Sequence, residues 1–126
     1  MRLVIVRHAE AAPGDPDELR PLTQQGRKQA RALAHELRER GVDADAVVTS
    51  PLLRARETAA ALGLGEPVID EKLAPGATAA DMRDAADGRG ETVVVVGHAP
   101  DCDEIVHALT GEDIHFKTGD FREVEL

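Results

Sequence analysis

Aromatic residues are nearly absent from this sequence: there are two phenylalanines, no tryptophan and no tyrosine. There is one cysteine, Cys102, so no disulfide can form within the chain. No apolar run approaches the roughly 20 residues that a membrane-crossing helix needs. The N-terminal apolar run is too short for a secretory signal and lacks a small-residue cleavage pattern at its end. A cytoplasmic location and no membrane partner are therefore expected. Positive charge is also scarce, with 15 basic against 24 acidic residues and a net charge of −9. An acidic chain with so few aromatics is a poor candidate for binding nucleic acid. Any anion site must be built locally, against the field of the whole molecule. The position of each arginine then matters more than their number.

What is present is the composition of a globular protein, 126 residues long, 42% hydrophobic and 31% charged. That length suits a single domain, residues 1–126, with a core of its own. Nothing in the sequence speaks to oligomeric state. Arg2–Arg7 is short, continuous and β-branched, the pattern of a strand buried on both faces. Ala12–Pro21 holds three prolines and a glycine and reads as a loop. Thr23 is placed to cap a helix whose inner face is Ala30, Leu33, Ala34 and Leu37, and Gly41 to end it. Ala46–Thr49 is a second strand, followed by Ser50 as N-cap and Pro51 in the first turn of a helix with Leu52, Ala55, Ala59 and Leu62 inward. Pro67–Ile69 predicts a minor strand, Ala79–Ala86 a short helix, and Glu91–Val96 a strand with four consecutive valines. Pro100–Leu109 predicts a helix with Cys102, Ile105 and Leu109 on one face, and Ile114–Leu126 one or two strands. Alternating strands and helices predict an α/β fold, a three-layer sandwich with a mostly parallel sheet and helices on both faces.

Ligands of such sheets bind beyond the carboxyl ends of the strands. After the first strand stand Arg7 and His8. After the second comes Ser50-Pro51-Leu52-Leu53-Arg54, and after the strongest comes Gly97-His98-Ala99-Pro100. If those strands are parallel neighbours, two histidines, two arginines and two helix N-termini meet at one mouth. Planar guanidinium forks and helix N-termini are the ordinary means of holding phosphate. A single histidine after a strand is more often a packing or surface residue. The same chemistry at three strand ends argues for a site. His35, His107 and His115 fall on helices or near the terminal strand and read as surface or packing residues.

The ordered set Arg7-His8-Ala9-Glu10-Ala11, Arg20-Pro21-Leu22-Thr23 with Gly26, Ser50 to Thr58, and Gly97-His98-Ala99-Pro100 resembles the histidine phosphatase superfamily. Within it the short length and the Arg-Pro-Leu-Thr segment are most similar to the SixA-type phosphohistidine phosphatases. The resemblance implies a phosphoglycerate mutase-like fold, a nucleophilic His8, phosphate binding by Arg7 and Arg54, and a second essential histidine, His98. Arg20, at the end of the proline-rich loop, is a further candidate for substrate binding. No metal and no cofactor are expected, because side chains would supply the positive charge. The expected partner is a phosphorylated substrate, among them a histidine-phosphorylated protein. A small-molecule phosphomonoesterase and a non-catalytic phosphate- or phosphohistidine-binding module are the alternatives.

Two departures from the family pattern carry chemistry. Pro75 stands where larger relatives place a glutamate acid, and Ala99 follows the second histidine where another branch has aspartate. An alkoxide leaving group needs a proton, and general-acid help contributes about 10²–10⁴-fold. A phosphorylated imidazole leaves more easily, so the missing acid favours phosphohistidine. Glu10, Asp15, Asp17, Glu71 and Asp101 are the carboxylates that could substitute, Asp101 reading more simply as a first-turn helix residue. A cysteine phosphatase is excluded, since the arginine its Cys-x₅-Arg motif requires is Ala108 here. The Asp15-Pro16-Asp17 segment does not follow a strand directly, as an aspartate nucleophile would. Flanking arginines would repel a metal from His8 and His98.

Overall fold

The computed structural model describes residues 1–126. Five strands, β1 (Arg2–Arg7), β2 (Ala46–Thr49), β3 (Val68–Ile69), β4 (Thr92–Gly97) and β5 (Phe121–Glu125), form one sheet in the order β3-β2-β4-β1-β5. The first four run parallel, and β5 pairs antiparallel with β1. Four helices, α1 (Gln24–Glu39), α2 (Leu53–Ala61), α3 (Ala79–Ala86) and α4 (Asp101–Thr110), connect them. Two 3₁₀ turns lie at Asp17–Leu19 and Glu71–Leu73.

Side chains alternate across a strand, and here both faces are covered. Leu3, Ile5, Val48, Val93 and Val95 pack against Met82, Ala85 and Ala86 of α3 and Cys102, Ile105 and Val106 of α4. Val4, Val6, Val47, Val94 and Val96 face Leu33, Ala34 and Leu37 of α1 and Ala55 and Ala59 of α2. This is the expected three-layer arrangement. The valines Val93 to Val96 are fully buried. At roughly 1.5–3 kcal/mol for each such side chain, β4 alone offsets the ordering cost of several residues.

The helix termini follow local chemistry. The Thr23 hydroxyl accepts from the Gly26 N–H at 2.9 Å and caps α1. At its other end Gly41 has φ of 73°, and the N–H groups of Gly41 and Val42 return to the carbonyls of Arg38 and Leu37. That left-handed closure suits glycine.

Two expectations change. Ser50 is not the cap of α2, whose N-cap position is Leu52 without a side-chain cap. The Ser50 hydroxyl accepts the Leu52 N–H at 3.3 Å but also faces a histidine. The Ala12–Pro21 segment is not wholly irregular, since it contains the Asp17–Leu19 turn and is bracketed by an antiparallel bridge between Ala11 and Leu22. The C-terminal segment, expected to hold one or two strands, holds one.

Candidate active site

β4 lies between β1 and β2, so the three strand ends with candidate residues are neighbours at one rim. The ladder runs past the strands there. The His8 N–H donates to the Gly97 carbonyl at 3.0 Å, and the Ser50 N–H to Val96 at 3.0 Å. The backbones carrying His8 and Ser50 are thereby fixed before their side chains are considered.

His8 is buried, and its Nδ1 lies 2.7 Å from the Ala9 carbonyl oxygen. A carbonyl can only accept, so Nδ1 carries the proton and Nε2 keeps its lone pair. The ring's pKa is lowered to about 4, chiefly by burial, with Arg54, Arg7 and Arg20 acting in the same direction and the Ala9 carbonyl opposing. Desolvation is the largest cause, ahead of the like charge of the three arginines. His98 is also buried, with Nε2 2.7 Å from the Ser50 hydroxyl oxygen. Its pKa falls to about 3, mainly through burial and then through His8 and Arg54. The two rings are tilted by 58° with centroids 5.2 Å apart. Nδ1 of His98 is buried without a hydrogen-bond partner, and so is Nε of Arg7.

The arginines reach this rim from different elements. Arg7 ends β1 and donates through Nη1 to the Phe116 carbonyl at 2.7 Å. Arg54, in the first turn of α2, is buried. It donates from Nη1 to the Asp17 carbonyl at 2.9 Å and from Nη2 to Asp17 Oδ2 at 3.2 Å. Arg20 donates from Nε to the Ala12 carbonyl at 2.8 Å and from Nη1 to Asp17 Oδ1 at 3.0 Å. All four residues ranked first in the sequence are brought together, and Arg20 joins them through Asp17.

The Arg-Pro-Leu-Thr segment with Gly26 supports the residues after His8. The Thr23 N–H donates to the Glu10 carbonyl at 3.0 Å, and the Leu22 N–H to Glu57 Oε1 at 2.8 Å. A Cβ at position 26 would lie 2.0 Å from the Glu10 carbonyl oxygen, so glycine permits this close approach. Sequence reasoning missed Ser50 as a partner of His98, and it missed Thr58. The Thr58 hydroxyl accepts from the Ala9 N–H at 3.0 Å and donates to the Arg54 carbonyl at 2.8 Å. A threonine four residues after a candidate arginine was the available signal, since such hydroxyls bond back along the helix.

Among the carboxylates weighed as acids, Asp101 is committed elsewhere, accepting from the N–H groups of Gly76 and Ala77 at 2.8 and 3.2 Å. Asp17 alone is bonded to candidate arginines, and hydrogen bonds from Arg20 and then Arg54 hold its carboxyl below the usual range. His35, His107 and His115 are exposed and stand beside Glu39, Asp113 and Asp103. None of the surface cavities is lined by Arg7, His8, Arg54 or His98.

A mostly parallel five-stranded sheet between two helical layers is a phosphoglycerate mutase-like α/β fold. A family model for the histidine phosphatase superfamily (branch 1) matches residues 3–74, and the chain belongs to that family. It is similar to the solved protein histidine phosphatase SixA complexed with tungstate, at TM-score 0.89 and 28% identity, over 100% of this chain and 88% of that one. A structure described as phosphohistidine phosphatase SixA from Nakamurella multipartitia superposes at TM-score 0.88 with 30% identity, over 97% of this chain and 82% of that one. An uncharacterized protein of Picosynechococcus is 34% identical over 132 residues, covering 93% of this chain and 80% of its own. A segment also matches the mitochondrial serine/threonine-protein phosphatase Pgam5 of Drosophila simulans, at 46% identity over 57 residues, 44% of this chain and 20% of that protein. The family and these neighbours support phosphatase function.

Proposed function

We propose that this protein removes phosphate from phosphohistidine in proteins, through a phosphohistidine formed on its own His8 and without a metal. The observation that carries this reading is the His8 ring, neutral down to a pKa of about 4 and protonated at Nδ1 toward the Ala9 carbonyl. A neutral imidazole with a free Nε2 is a nucleophile at pH 7. Nε2 attacks phosphorus, a new N–P bond forms, and the substrate's N–P bond breaks. The departing imidazole carries a proton on its other nitrogen and leaves neutral. Water then attacks phosphorus, releasing inorganic phosphate and restoring His8. Arg7, Arg54 and His98 hold the equatorial oxygens, with Arg20 at the edge. Charge comes from side chains in this reading, and no group of three or more His, Cys, Asp or Glu side chains is placed to hold a metal. A cytoplasmic protein whose residues 1–126 act as one domain belongs to the same reading.

One feature favours phosphohistidine over a phosphate ester. The one carboxylate beside the arginines, Asp17, is held ionised and cannot donate a proton to an alkoxide. The Pgam5-like segment favours a second reading, phosphomonoester hydrolysis. A panel of phosphohistidine protein, phosphoramidate and phosphate monoesters, each followed by rapid quench, separates them. The expected result is turnover of the first two with phosphate trapped on His8. Preference for monoesters overturns the substrate assignment. Phosphate binding without an adduct would make the protein a recognition module.

A further inference from the structure

The phosphoryl transfer set out above leaves Asp17 without a task. Its side chain is 58% exposed, yet its two oxygens are divided between two arginines, Oδ2 on Arg54 at 3.2 Å and Oδ1 on Arg20 at 3.0 Å. An anion bridging two guanidinium groups uses donors that a phosphoryl group would also seek. Such a carboxylate could place the arginines or compete for them. Each arginine has a separate backbone acceptor: the Asp17 carbonyl for Arg54 Nη1 at 2.9 Å, and the Ala12 carbonyl for Arg20 Nε at 2.8 Å. Neither bond uses the carboxylate, so an amide at this position would leave both acceptors in place. The side chain therefore contributes charge more than position. Asp17 engages both terminal nitrogens of Arg54, Nη1 through its carbonyl and Nη2 through its carboxylate. In a chain of net charge −9 this is one more negative group, set where the arginines gather.

We propose that the Asp17 carboxylate is a tethered competitor for the phosphate subsite, holding Arg54 and Arg20 in the free enzyme, yielding them to the phosphoryl group, and reclaiming them as phosphate departs. The inference rests on the reading of Arg54 and Arg20 as phosphate ligands. It assigns Asp17 to setting affinity and release rather than to proton transfer.

Calorimetric titration with inorganic phosphate, which needs no turnover, tests it on the full chain and on Asp17→Asn, Asp17→Glu and Arg54→Ala. The expected result is tighter phosphate binding by Asp17→Asn, on the order of tenfold at low salt, shrinking as salt screens the added positive charge. Asp17→Glu, which keeps the charge, should bind like the parent, and Arg54→Ala should lose most binding. The turnover counterpart is a lower KM and stronger product inhibition in Asp17→Asn. Equal or weaker phosphate binding by Asp17→Asn, with Arg54→Ala still defective, overturns the competitor role and leaves the phosphate site standing. Equal binding by the parent and Arg54→Ala overturns the site reading and this inference together.

Discussion

At the amino end of β4 the Asp45 carboxylate, exposed to solvent, accepts from the N–H groups of Glu91 and Thr92 at 2.9 and 3.0 Å. Beside it Arg2 of β1 pairs with Glu125 of β5 at 2.9 Å, also in solvent. The carboxyl end of the same sheet is built differently. The buried polar or charged side chains of the chain are His8, Thr49, Ser50, Arg54, Thr58, His98 and Asp101, all at or beside that rim. Two of the atoms there, His98 Nδ1 and Arg7 Nε, are buried without partners. An unanswered buried donor or acceptor costs about 1–3 kcal/mol. One end of the sheet thus answers its polar groups in water, and the other keeps them dry and partly unanswered. Stability is expected to come from the first, and chemistry from the second.

The sharpest way to break this contrast is His8→Ala. The expectation is loss of turnover on the order of 10⁴-fold or more with no phosphorylated intermediate. Thermal stability should be unchanged or higher, because a buried polar ring has been removed. A protein that still turns over, followed by phosphate release, would refute the assignment of the nucleophile.

Acid should weaken the carboxyl end selectively. Both histidines have folded pKa values below the ordinary 6.5, about 4 for His8 and about 3 for His98. Above pH 6.5 they are neutral in both states and impose no proton linkage. As pH falls from 6.5 toward 3 the unfolded chain binds protons that the folded one refuses, so stability declines, by several kcal/mol in all. Urea midpoints at pH 7.5 and 4.5 measure the decline. The double variant His8→Ala, His98→Ala should lose much of it, and an undiminished decline would trace the effect to other groups. By the same shift, the acid limb of kcat/KM that reports His8 should lie near 4 rather than near 6.5.

Gly26→Ala should cost about 1–3 kcal/mol by overpacking against the Glu10 carbonyl, and should also lower kcat/KM because Glu10 lies two residues from His8. The smallest expected effect belongs to the other end. Asp45→Ala removes two hydrogen bonds and should cost about 1–2 kcal/mol by urea titration, with kcat/KM kept. If Asp45→Ala lowered activity as strongly as stability, the two ends would not be separable.

How much of this was legible in the sequence depended on whether the cause was local. The valines of β4 could form little but a buried strand, and Thr23 and Gly41 announced the limits of α1. The antiparallel sense of β5 was not legible, since most of its residues are exposed and it reaches its place only by pairing with β1. The histidines and arginines at the rim were legible because the fold class dictates where strand ends gather. Ser50 was misread because its nearest local role, a helix cap, hid a partner 48 residues away. Asp17 was weighed as a proton donor, and only the folded loop reveals two arginines on it. Burial as the main cause of the His8 shift was likewise invisible, because the covering side chains come from several elements.

The Thr58 hydroxyl, between the Ala9 N–H and the Arg54 carbonyl, acts as a ruler. A motion that carried α2 along the sheet would draw the segment after the first strand with it. The spacing between the proposed nucleophile and the proposed phosphate clamp would then be kept even while both moved, set by the length of two hydrogen bonds rather than by the rigidity of the whole molecule.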